Sequence, residues 1–178
     1  MSERQEGSNQ MIKRMAVNRI VLAVAAMSAV FSFSASAQSS RTTRTRTPGH
    51  VSRNTVVTGA NGKSASYNRN ANWGNGTYTG SRTATGFNGR TETSNTTASV
   101  APGSASRTTT AIGPNGRSAT YQNNATWGNG GYSDTKTITG PNGKSASSTV
   151  QRQDGSITKT VTGPNGQGWA ASRTRVQN

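Results

Sequence analysis

Beyond residue 37, one histidine (His50), three carboxylates (Glu92, Asp134 and Asp154) and no cysteine are available for acid–base, nucleophilic or metal chemistry. A Ser-His-Asp relay needs an imidazole held between a hydroxyl and a carboxylate. Here it must use His50, which follows Pro48-Gly49 ahead of the repeats and reads as a solvated linker residue. No spacing of His, Asp and Glu suits a metal ion. GPNGKS (Gly140–Ser145) ends like a phosphate loop, but the G-x-x-x-x-G-K-[ST] spacing is absent. Glu92 and Asp134 fall among cations and are expected to neutralise them. The expectation is a non-enzyme with no cofactor, no metal and no small-molecule substrate.

Cations and aromatics are the other reactive population. Lys plus Arg number 20 against 5 Asp plus Glu, a formal charge of +15. The cations stand singly, at alternate positions, with Tyr and Trp between them. Lys63, Tyr67, Arg69, Trp73, Tyr78 and Arg82 form one such set; Arg117, Tyr121, Trp127, Tyr132, Lys136 and Lys144 form another. A surface of this kind attracts polyanions and binds them with strong salt dependence. Extracellular DNA, lipopolysaccharide and acidic polysaccharide are the candidate partners.

Strands must position these residues. From Lys63 to Trp73 one parity reads Lys63, Ala65, Tyr67, Arg69, Ala71, Trp73 and the other is all Ser and Asn. Period two describes a strand with two different faces. The phrase NANWGNGTY recurs as NATWGNGGY 54 residues later. A shorter phrase, TGPNGK and its variants, has its first glycine at Gly59, Gly86, Gly113, Gly140 and Gly163, spaced by 27, 27, 27 and 23 residues. A fixed period of this size marks a repeat architecture.

The turns and the faces agree. Asn75-Gly76 and Asn129-Gly130 suit two-residue type I′ turns, which need positive φ at both central positions. Such a turn sets Trp73 opposite Tyr78 and Asn72 opposite Thr79. Asn61-Gly62, Asn88-Gly89, Asn115-Gly116, Asn142-Gly143 and Asn165-Gly166 suit three-residue loops with a glycine bulge. Both turn types keep polar opposite polar, and a one-residue slip would break the match. The sequence therefore predicts an all-β fold, a repetitive antiparallel β-meander with a 27-residue hairpin repeat and about ten strands from Val51 onward. Arg41–Thr47 is a candidate additional strand. The alternative is a β-solenoid with 27 residues per coil.

Three segments follow. Residues 1–37 read as a polar extension and a Sec signal peptide: MIKRMAVNR is basic, Ile20–Phe33 is apolar, and Ala-Ser-Ala precedes Gln38. Residues 38–50 are a basic Thr/Arg-rich leader, and 51–178 are the hairpin repeats. The expected location is extracellular or cell-surface, with the periplasm as the alternative compartment. Residues 38–178 carry 16 cations and 3 acids, or +13. Apolar residues make up 29 % of the chain, against roughly 45–50 % in globular domains. Self-association through the small polar face would supply the missing burial; ordering only on a partner is the other solution.

The signal peptide, the strand–turn–strand repeats and the Asn/Gly/Ser/Thr richness resemble bacterial functional-amyloid subunits such as curlins. The Ser…Gln/Asn…Gln spacing of curlin repeats is absent, the period is longer and the charge more basic, so no residue role carries over. TGPNG also resembles turns of YD-type repeats, without their Tyr-Asp signature. The function expected is a secreted structural or adhesive repeat protein of a surface or matrix layer. It would associate with itself, as homo-oligomer or fibre, and bind polyanions through a basic aromatic face. The alternative is a carbohydrate- or ice-binding β-module, the latter because the Thr rows resemble TxT arrays.

Overall fold

The computed structural model describes residues 37–174, with side chains from residue 39. The expected signal peptide lies outside them. Every described element is a strand: β1 (Ala37–Thr47), β2 (His50–Gly59), β3 (Ser64–Gly74), β4 (Thr77–Thr85), β5 (Thr91–Ala101), β6 (Ser104–Ile112), β7 (Ser118–Gly128), β8 (Gly131–Thr139), β9 (Ser145–Gln153), β10 (Ser156–Thr162) and β11 (Gly168–Thr174). They form one 11-stranded sheet whose spatial order is the chain order. All ten neighbouring pairs are antiparallel, a meander rather than the parallel stacking of a solenoid. Ten strands start from His50 onward, and the Arg41–Thr47 stretch adds β1, paired from Thr47↔His50 outward.

Turn chemistry builds this register. Asn75 (φ 47) with Gly76 (φ 72), Asn129 (φ 46) with Gly130 (φ 76), and Asp154 (φ 47) with Gly155 (φ 77) are type I′ turns. Pro48-Gly49 and Pro102-Gly103 close hairpins differently: proline holds the first position, and the glycine at φ 75 or 78 completes a type II geometry. At the other end of the sheet, Gly143 N donates to Gly140 O (3.0 Å) and Gly140 N to Lys144 O (2.9 Å), a three-residue loop with its bulge at Gly143. Asn142 Oδ1 accepts from Lys144 N at 3.1 Å, and Asn61, Asn88 and Asn115 make the same bond.

The two faces separate almost completely. One side of the sheet, the hydroxyl face, holds rows such as Asn72–Thr79–Thr97–Thr108–Gln122–Thr137–Ser147. Its hydroxyls bond across strands, as in Thr85–Thr91 (3.0 Å), Ser99–Ser106 (2.8 Å) and Thr139–Ser145 (2.7 Å). The other side, the basic face, carries all the strand Tyr and Trp residues and every described strand Lys or Arg except Arg41. The buried side chains are there too: Val57, Ala65, Ala71, Ala105, Ala125, Arg107 and Thr109. They are mostly small, and they lie beneath larger neighbours on their own face. Among the described residues there is no second layer.

Candidate functional site

The register stacks arginines. Arg44 faces Arg53 across β1–β2, Arg53 faces Arg69 across β2–β3, and Arg69 faces Arg82 across β3–β4. Strand spacing sets such neighbours about 4.8 Å apart at the backbone, and like charges directly opposite destabilise a sheet. Arg44 and Arg53 are exposed, and Arg69 and Arg82 half-buried. Arg53 Nε also donates to Thr55 Oγ1 at 3.3 Å, which fixes its fork along the strand.

Two rows from the ladder stands the clasp expected from the Asn-Gly turn: Trp73 faces Tyr78. The row between is Val51–Ala71–Gly80, small and apolar. A Cβ on Gly80 would fall 2.5 Å from Tyr78 Oη, so the phenol needs the space that glycine leaves. The result is a trough with a low floor, a guanidinium wall and an aromatic wall. It encloses about 520 Å³ and is lined by Arg44, Arg46, Arg53, Arg69, Ala71, Trp73 and Tyr78, together with Thr42 and Val51. Trp73 remains 42 % exposed.

The second repeat keeps the fold of this site and dilutes its charge. Fifty-four residues on, Trp127 faces Tyr132, and Ala105 and Ala125 occupy the floor. The row matching the ladder reads Ala98–Arg107–Asn123–Lys136. Asp134 takes the place of Gly80 and forms an ion pair with Lys136 at 3.2 Å, the neutralising role expected of it; Asn123 Nδ2 donates to the same carboxylate. Arg107 repeats the Arg53 contact, with Nε on Thr109 Oγ1 at 3.3 Å, but is only 7 % exposed and lies 5.8 Å from the Tyr121 centroid. Its Nη1 and the Nε1 of Trp127 are buried with no hydrogen-bond partner among the described residues.

The remaining sequence-derived cations are placed elsewhere. Lys63, Arg117 and Lys144 end three-residue loops, with Arg90 in the matching place, and so mark one rim of the sheet. Lys144 Nζ donates to Asn165 Oδ1 of the next loop at 2.8 Å. Tyr67 stands on the basic face beside the ladder, opposite Thr55 and Ala84. His50 opens β2 on the hydroxyl face, with Nδ1 2.6 Å from Asn72 Oδ1, while Glu92 and Asp134 sit on the opposite face. Sequence reasoning missed Arg44, Arg46, Arg53 and Arg107. Alternation in TRTRT (Thr43–Thr47) and VSRNT (Val51–Thr55) was the signal available for the first three.

No family model, curated protein or solved structure matches this chain.

Proposed function

We propose that the protein is a secreted structural or adhesive component of a bacterial surface or matrix layer. It associates with further copies of itself and binds anionic polymers through its basic aromatic face. The observation that carries this reading is the sorting of chemistry between faces over 11 strands. One face is a lattice of hydroxyls and amides suited to packing against its like. The other carries charge and aromatic rings with few acids to offset them. A single sheet has little core of its own, so a partner on either face adds burial that the lone chain lacks.

Opposite salt dependences test both halves. Salt screens the repulsion between highly basic copies, so self-association should strengthen as salt rises. Polyanion binding should weaken over the same range. Sedimentation velocity over a concentration series, at low and high salt, reads the first; titration with DNA and a polyuronate reads the second. A monomer at every concentration and salt defeats the matrix reading. The second reading, a carbohydrate-binding module, draws on the exposed Trp73 ring. It predicts a monomer that saturates with a neutral sugar.

A further inference from the structure

This inference rests on the polyanion reading above and narrows it to one place and one ligand class. We propose that the trough over β1–β4 is a binding site for single-stranded nucleic acid. Phosphates would sit on the ladder Arg44–Arg53–Arg69–Arg82, with a base on Trp73.

Charge density points to the ligand. The ladder sets four cations within about 15 Å at the strand spacing. Such a row is best used by a polymer with an anion on every unit, as a phosphodiester chain has. Polyuronates share that feature, with a carboxylate on every ring that the guanidinium fork can also grip, so the aromatic wall decides between the two polymers. The guanidinium fork grips phosphate oxygens in pairs, which a lysine row would not do. The aromatic wall then selects strandedness. Trp73 offers a ring face for stacking, and only unpaired bases can leave their own stack to use it. The space between the two walls, about 520 Å³ with the Tyr78 phenol lying over Gly80, accommodates a base.

The second repeat is an internal comparison. It keeps Trp127 and Tyr132 but replaces Arg44 by Ala98, Arg69 by Asn123 and Gly80 by Asp134 at the matching positions. An aromatic pair needed only as a clasp is present twice; the ladder is present once. The site is therefore an addition to the fold rather than a consequence of it.

The test uses the full chain and a labelled thymidine oligomer of about a dozen nucleotides, within the span of known single-strand sites. Duplex DNA of equal length and a polyuronate compete. Binding should favour the single strand, quench tryptophan fluorescence, and show a log–log salt slope near 3, at about 0.7 per phosphate contact. Arg53→Ser with Arg69→Ser should weaken binding by at least about ten-fold and lower the slope by about 1.4. The same charge removed at Arg152 and Arg173, distant on the basic face, should weaken it by less than about three-fold. Ala98→Arg with Asn123→Arg and Asp134→Gly should raise the stoichiometry from one strand to two. Thermal melting of each variant checks that it is folded. Equal loss from both double variants, or duplex or polyuronate binding as tightly as the single strand, overturns the site and leaves the general polyanion reading standing. Absence of binding to any of the three polymers overturns both.

Discussion

Gly62 and Gly76 share a left-handed φ, 73° and 72°, but not their surroundings. A Cβ at Gly62 meets nothing within 4 Å, whereas at Gly76 it would lie 2.5 Å from Val100 O on the next strand. Gly76 O also accepts from Val100 N at 2.7 Å, so the turn carries the β4–β5 register beyond its own hairpin. Gly62→Ala should cost about 1–2 kcal/mol, the price of a left-handed L-residue. Gly76→Ala should cost at least about twice that, because backbone must shift as well. Urea melts of the two variants compare them directly. Similar losses would mean that the turn glycines serve only their own φ.

Paired arginines set the next question, since β1 to β4 accept three directly opposed cation pairs: Arg44↔Arg53, Arg53↔Arg69 and Arg69↔Arg82. Removing Arg53 and Arg69 together removes all three. Arg53→Ser with Arg69→Ser should therefore stabilise the free protein at low salt, by about 0.6–3 kcal/mol for three pairs at about 0.2–1 kcal/mol each. The gain should shrink as salt rises. Unchanged or lower melting at low salt would show that the guanidinium groups contribute more by packing than they lose by repulsion. These strands also show what was legible in advance. Hairpins, faces and the Trp73–Tyr78 and Trp127–Tyr132 clasps follow from Asn-Gly turns plus period two, two local rules that agree. The ladder needed the register of β1 on β2, and there the turn is Pro48-Gly49, outside the repeated phrase. Without that turn Arg44 and Arg46 fall in a leader with only a candidate strand over Arg41–Thr47, and Arg53, inside the repeats, has no neighbour on that side. Lys63, Arg117 and Lys144 have the parity of the basic face, but the bulge that ends each loop sets them on the rim.

Among the described residues the sheet has two edge strands, β1 and β11, and they differ. Arg41, Arg44 and Arg46 charge β1 on both of its faces, a known guard against edge pairing. Strand β11, GWAASRT, is exposed at every residue and carries one cation, Arg173. Growth by edge addition should then use β11. Two copies paired antiparallel about Ala171 would set Trp169 opposite Arg173 of the second copy on the basic face, a cation–π contact like the one Lys159 already makes with Trp169 at 5.5 Å. In that arrangement Ala171 faces its own counterpart. Ala171→Lys would place like charges directly opposite and should move the onset of association to about ten-fold higher concentration. Thr43→Lys on β1, whose edge is already charged, should leave the onset nearly where it was. Sedimentation velocity on the two variants separates the edges. An onset moved equally by both, or by neither, would place self-association on the hydroxyl face instead, where cross-strand hydroxyl pairs such as Thr135–Thr149 at 3.1 Å already order a surface for a second sheet.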